Sequence, residues 1–218
     1  MTSDSVVHVI DDDESARDAL LFLLDTADIP ACGHASANAF LQSAASAPEI
    51  GCIVTDVRMP GTTGIELLQH LRAAGSSVPV VVITGHGDVA LAVAAMKAGA
   101  RDFLEKPYSD EAMLAAVRSA VAHAGGPAGD RPPEGAAQTG QASARQRFAG
   151  LSPREREVLV GLVSGHSNKL IARDLGISPR TVEVYRASLM TKTKATSLSH
   201  LVRLAMSAGM VPLADPTL

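Results

Sequence analysis

The chain has 218 residues, of which 46% are hydrophobic and only 3% aromatic, and it carries a formal net charge of −4. That balance excludes a disordered chain and leaves Ala, Val and Leu to build the cores of two small domains or one large one. No apolar run approaches the roughly 18 residues needed to cross a bilayer, and the acidic N-terminus is unlike a signal peptide, so a cytoplasmic protein with no membrane partner is expected.

The net charge conceals an asymmetry. Residues 1–123 hold 16 acids and 7 bases, a net of −9, whereas residues 151–218 hold 5 acids and 9 bases, a net of +4. An acidic half suits a cation site, and a basic half suits nucleic acid. Cys32 and Cys52 fall in strand-like stretches and are expected as two buried free thiols, because a reducing compartment disfavours a disulfide.

In chain order, short apolar runs alternate with amphipathic segments. Strands are predicted at Val6–Ile10, Ala31–His34, Cys52–Thr55, Val80–Ile83 and Asp102–Leu104. The segment Ala16–Ala27 places apolar residues at Ala16, Ala19, Leu20, Leu23, Leu24 and Ala27, a helical period. Further helices are predicted at Ala37–Ala47, Ile65–Ala73, Val89–Ala98 and Asp110–Ala122. Five successive β-α units predict an α/β doubly wound parallel sheet with right-handed crossovers, whose crevice lies outside the carboxyl ends of its strands.

Residues 124–150, which open with AGGPAGDRPPEGAAQTG, read as a flexible linker, helical only from about Ser143. Beyond it, Ser152-Pro153-Arg154-Glu155 starts a helix with a cap, a proline at the first helical position and a glutamate at the third. That helix stops near Gly165. A second begins after Ser167 and ends at Gly176, and a third starts at Ser178-Pro179. Two short helices around a tight glycine-containing turn make a helix-turn-helix.

The chemistry of the first half lies at the strand ends. Strand one runs into Asp11, Asp12 and Asp13, strand three ends in Asp56, strand four in Thr84, and strand five runs into Lys106-Pro107. Carboxylates this close repel one another unless a cation neutralises them, and an all-oxygen set with waters suits Mg²⁺. A lysine and a hydroxyl beside them match a phosphoryl group, and a carboxylate is itself a nucleophile that forms an aspartyl phosphate. Taken singly, each aspartate is more often a helix or turn cap; the convergence of four strand ends on one edge is what favours a site. The residues alone leave open which two of Asp11, Asp12 and Asp13 face the cation. His86, near Thr84, is read as a loop histidine with no chemical role.

On the third C-terminal helix, about residues 179–192, Val182, Tyr185 and Leu189 share one face and are expected in the core. The opposite face holds Arg180, Glu183, Val184, Ala187 and Thr191. Val and Ala are odd choices for solvent but suit thymine methyls in the major groove, where Glu accepts from cytosine N4. Lys169, Arg180 and Lys192 stand where phosphate contacts would position the helix, and Thr181 belongs to the same DNA-facing set.

The segments HVIDDDESARDAL, CIVTDVRMPGTTGIELL and VVVITGHGDVALAVAAMKAGARDFLEKP together resemble the receiver domain of bacterial two-component response regulators, in particular the FixJ-type subfamily. The resemblance implies a flavodoxin-like receiver over residues 1–123. In it, Asp56 is the phosphoacceptor, Asp11 and Asp12 the acidic pair for Mg²⁺, and the Arg58 carbonyl a further metal ligand. Lys106 is then the partner of the phosphate, Thr84 the hydroxyl that swings toward it, and Phe103 the aromatic that follows. It also implies a cis Lys106-Pro107 bond.

The segment LSPREREVL…SNKLIARDLGISPRTVEVYRASLMTKTKATSLSHLVRLAM resembles the LuxR-type DNA-binding domain. It implies an all-α four-helix unit over residues 151–218, whose last helix, Leu198–Ala208, pairs two subunits. Leu198, Leu201, Val202 and Ala205 share a face there, which an intramolecular core would explain equally well. The expected protein is therefore a response regulator and not an enzyme: Arg58 stands where aspartyl-phosphate phosphatases carry a second aspartate. Its expected partners are a sensor histidine kinase, DNA, RNA polymerase and, once phosphorylated, a second copy of itself.

Overall fold

The computed structural model describes residues 5–44, 50–85, 89–122 and 145–210. It falls into two compact units, one holding a β-sheet and the other the C-terminal helices.

Residues 6–121 run β1 (Val6–Ile10), α1 (Glu14–Thr26), β2 (Ala31–His34), α2 (Ala37–Ala44), β3 (Ile50–Asp56), α3 (Gly64–Ala73), β4 (Val80–Thr84), α4 (Val89–Lys97), β5 (Asp102–Glu105) and α5 (Asp110–Val121). All strand pairs are parallel, in the order β2-β1-β3-β4-β5. This is the doubly wound sheet expected from the sequence. Val7, Val9, Cys52, Val54, Val81 and Ile83 meet Leu20 and Leu24 of α1 and Met113 and Val117 of α5 on one face. With the sheet covered on both faces, its central strands are apolar almost throughout.

The strands outrun their apolar runs at several ends. Pairing with β1 extends β3 back to Ile50, and pairing with β4 carries it forward to Asp56. Likewise β4 includes Thr84, which pairs with Glu105 of β5. Helix α1 begins at Glu14 because the Asp13 side chain accepts from the Ala16 amide. Cys52 is buried and Cys32 only partly so, both as free thiols; the expectation that both are buried fails for Cys32, which lies on the sheet's edge strand. Residues 45–47 of the second predicted helix and His86 lie outside the described residues.

The second unit contains α6 (Pro153–Val163), α7 (Asn168–Leu175), α8 (Pro179–Thr193) and α9 (Leu198–Ser207). Ser152 and Glu155 close both arms of a capping box on α6. Gly176 ends α7 in the left-handed conformation, with φ of 66°, the hand that glycine adopts without steric cost. Val158, Leu159, Leu162, Val182 and Leu189 are fully buried, while Tyr185 is only half-buried. Leu201, Val202 and Ala205 are buried and Leu198 is half-buried, so this face of α9 is covered within the single chain.

Most of the expected linker, 124–144, lies outside the described residues. Residues 145–148 are helical and belong to the second unit's packing: Phe148 is buried, Arg145 Nε donates to the Ala208 carbonyl at 3.1 Å, and Arg147 Nη1 donates to that of Thr193 at 3.3 Å. The packed unit thus begins several residues before 151, because an aromatic side chain there finds a core to enter. No helix among the described residues is long and apolar enough to cross a membrane.

Candidate functional site

Parallel strands β1, β3, β4 and β5 end on one edge, and the loops that follow carry the polar groups. Lys106 is held there because its amide donates to the Thr84 carbonyl at 2.8 Å, just past the β4–β5 pairing. Its Lys106-Pro107 bond is cis. From that position Lys106 Nζ donates to Asp56 Oδ2 at 2.5 Å and to Asp11 Oδ2 at 3.3 Å. A single ammonium therefore links the ends of β1 and β3.

The remaining oxygens are also engaged. Asp11 Oδ1 accepts from the Asp13 amide at 3.0 Å, and Asp56 Oδ1 accepts from the Arg58 amide at 2.8 Å. Arg17 Nη1 holds the Asp11 carbonyl at 2.8 Å. Burial raises the pKa of Asp11, and the nearby Asp56 adds to this, although the Asp13 amide and Lys106 oppose it. Burial works against the charge on Lys106, but the hydrogen bond and charge of Asp56, joined by Asp11, hold its pKa above the usual lysine value. Two carboxylates thus share one cation, and the exposed Asp12 stands next to them.

Asp13, the third acid of the run, spends its side chain as the cap of α1. Thr84 is buried, and its hydroxyl donates to the Gly85 carbonyl at 3.4 Å. Phe103 is buried on β5, and the Arg58 side chain is exposed. The sequence did not single out Gly64. A Cβ built there would lie 2.2 Å from the Asp56 carbonyl oxygen, so only glycine lets α3 start against the back of the site.

In the second unit, Arg180, Glu183, Val184, Ala187 and Thr191 are all exposed on α8, with Val184 at 64%. Thr181 is half-buried in the first turn of the helix, where its amide donates to the capping Ser178 Oγ at 3.1 Å. Lys169 is exposed on α7. Lys192 is placed differently: its ammonium donates to Glu155 Oε2 at 2.8 Å. Glu155 is the residue that sequence reasoning used only as a cap. It is buried, accepts from Lys192, from Ser188 Oγ at 2.6 Å and from the Ser152 amide at 2.7 Å, and its pKa is held down at about 2 by these bonds, Lys192 first. It locks α6 to α8 and so sets the pose of the exposed face.

An acidic crevice bridged by one lysine on one unit and a solvent-facing helix of a helix-turn-helix on the other point to a class: a switchable regulator of transcription. Comparison with known families agrees. The response regulator receiver domain matches residues 7–118, and the bacterial regulatory proteins of the luxR family match residues 149–205. The chain belongs to the two-component response regulators that join a receiver to a LuxR-type DNA-binding domain.

It is 54% identical to the transcriptional regulatory protein FixJ of Azorhizobium caulinodans, over 97% of this chain and 96% of that one. The crystal structure of full-length FixJ from B. japonicum is 51% identical, covers 95% of this chain and 98% of its own, and superposes with a TM-score of 0.52. That of FixJ-N is 44% identical over 56% of this chain and 97% of its own, with a TM-score of 0.53.

Proposed function

We propose that Asp56 accepts a phosphoryl group from the phosphohistidine of a sensor histidine kinase, and that this modification governs DNA binding by α8. The observation that supports it most is the Lys106 ammonium bridging Asp56 and Asp11. It leaves Asp56 oriented and partly open, its side chain 13% exposed. In the transfer, a carboxylate oxygen of Asp56 bonds to phosphorus as the P–N bond breaks, and the departing imidazole takes a proton from solvent.

The donor set fits Mg²⁺: it is all oxygen, and its carboxylates outnumber the one ammonium that neutralises them. Asp11, Asp12, Asp56 and the Arg58 carbonyl would hold the ion. When bound, it would supply positive charge against the phosphoryl oxygens. Lys106 pairs with the phosphoryl group once Asp56 carries it. Thr84 turns its hydroxyl from the Gly85 carbonyl to a phosphoryl oxygen, and Phe103 moves into the space that this vacates. The α4-β5 surface changes in consequence and pairs two receivers.

Two joined helix-turn-helix units then bind two half-sites, with the second contact made at the raised effective concentration that tethering provides. Arg180 and Lys169 contact phosphates, Lys192 does so at the cost of its bond to Glu155, and Thr181, Glu183, Val184 and Ala187 face the groove. The bound dimer contacts RNA polymerase in the cytoplasm and activates transcription. In this reading residues 1–123 are the receiver and 124–150 the linker, whose helical end at residues 145–148 packs onto the DNA-binding domain of residues 151–218.

Intact-mass measurement after incubation with a small-molecule phosphodonor and Mg²⁺ tests the core of this. One added phosphoryl group is expected on the native chain and none on Asp56→Asn. Full labelling of that variant would overturn the assignment.

A further inference from the structure

The receiver carries a second cluster of ligating side chains, on the far edge of the sheet. Strands β1 and β2 pair in parallel with His8 opposite Cys32 and Ile10 opposite His34. Residues 32 and 34 point to the same face, so three side chains meet there. Cys32 Sγ lies 3.2 Å from His8 Nδ1 and 3.6 Å from His34 Nε2, and the two ring nitrogens are 2.9 Å apart. Among the described residues this is the group of three potential metal ligands gathered most closely, with all ligand atoms within 4.8 Å of one another.

We propose that His8, Cys32 and His34 form a metal site for a borderline divalent ion of the Zn²⁺ type, bound through His8 Nδ1, His34 Nε2 and Cys32 Sγ. The spacing carries it. Zn–N bonds of about 2.0–2.1 Å and a Zn–S bond of about 2.3 Å in a tetrahedron put ligand atoms roughly 3.3–3.6 Å apart. The three separations here lie within a few tenths of an ångström of those edges. Two imidazoles and a thiolate form a donor set that disfavours Mg²⁺ and favours zinc or its neighbours.

The rings are held close together. His8 and His34 lie nearly parallel, 11° off, with centroids 5.1 Å apart, and the 2.9 Å between their nitrogens is a hydrogen bond that a bound ion would replace; Phe40 packs against both rings, at 5.3 and 5.4 Å. Ser43 Oγ lies 3.4 Å from His34 Nδ1, where it orients the ring from behind. His8 is buried and its Nε2 has no hydrogen-bond partner. A side chain serving only to fill this core would be better aliphatic, so the reason for an imidazole lies with Nδ1, the nitrogen facing the cluster. Burial lowers the pKa of both histidines and raises that of the Cys32 thiol.

Binding forms two metal–nitrogen bonds and one metal–sulfur bond. The Cys32 thiol gives its proton to solvent, and water keeps the fourth position. No electron is transferred.

Titration of the full-length protein with Co²⁺ tests this through a band that only thiolate ligation produces, the sulfur-to-cobalt charge transfer in the near ultraviolet. One equivalent should develop that band with tetrahedral d–d absorption, and Zn²⁺ should bleach both. Cys32→Ser should lose the charge-transfer band, His34→Gln should weaken Zn²⁺ about tenfold or more, and Cys52→Ala should keep the band. Circular dichroism confirms that each variant is folded, and His34→Gln decides the matter if Cys32→Ser is not. Absence of the band in the native chain, its survival in Cys32→Ser, or unchanged Zn²⁺ affinity in a folded His34→Gln would overturn the proposal.

Discussion

The acidic crevice and the exposed face of α8 use charge in opposite ways. In the crevice, Asp11, Asp56 and Lys106 share hydrogen bonds at 2.5 and 3.3 Å, so the state of each depends on the other two. On α8, Arg180, Glu183 and Thr191 stand in solvent, and the frame is set by buried Glu155, which ties Lys192 and Ser188 to α6. A switch needs coupled groups, because one added charge must be felt elsewhere. A reading surface needs independent groups on a rigid frame, because each contact must report on its own base or phosphate.

The sharpest way to break the crevice is through its back wall. Gly64→Ala forces a methyl toward the Asp56 carbonyl, and urea denaturation should show the receiver destabilised by roughly 1–3 kcal/mol. An unchanged midpoint would mean that α3 retreats freely and that Asp56 is not held from behind.

Coupling itself is measurable by double-mutant cycles. Lys106→Met leaves Asp11 and Asp56 facing each other without a cation, so adding Asp56→Asn should recover part of the loss, with an interaction of about 0.5–3 kcal/mol in stability. Lys169→Ala and Arg180→Ala should instead add in DNA affinity to within about 0.5 kcal/mol, each lowering the salt slope by about one. Additivity in the crevice and coupling on the DNA face would reverse the comparison.

The smallest effect concerns acid. The Glu155 pKa is depressed from 4.5 to about 2, so its stabilising bonds are fully present above pH 4.5 and are lost as pH falls toward 2. Hydrogen exchange of α6 and α8 amides should therefore accelerate over that interval in the native chain. In Glu155→Gln, which keeps the cap geometry but cannot titrate, this component of the pH dependence should vanish.

Much of this was legible in the sequence, for physical reasons that also mark where legibility ends. β1 was readable to the residue because Ser5 and Asp11 bound its largely apolar run, whereas β3 gained Ile50 and Asp56 from pairing, which is a property of its neighbours. The acidic run named a site, but its internal division required coordinates, since Asp13 becomes a cap only through a helix start two residues earlier than expected. Glu155 satisfied a local pattern so well that its longer reach to Ser188 and Lys192, more than thirty residues away, left no separate trace. His8, Cys32 and His34 were silent for a similar reason: only the β1–β2 register brings them together.

The central claim is that phosphorylation of Asp56 controls the DNA-reading face. Its most direct test is the affinity of the full-length protein for operator DNA at fixed salt, with and without phosphodonor, in the native chain and in Asp56→Asn. The account predicts that the donor tightens binding by the native chain and leaves Asp56→Asn unchanged. Equal tightening in both, or none in the native chain once phosphorylation is verified by mass, would contradict it.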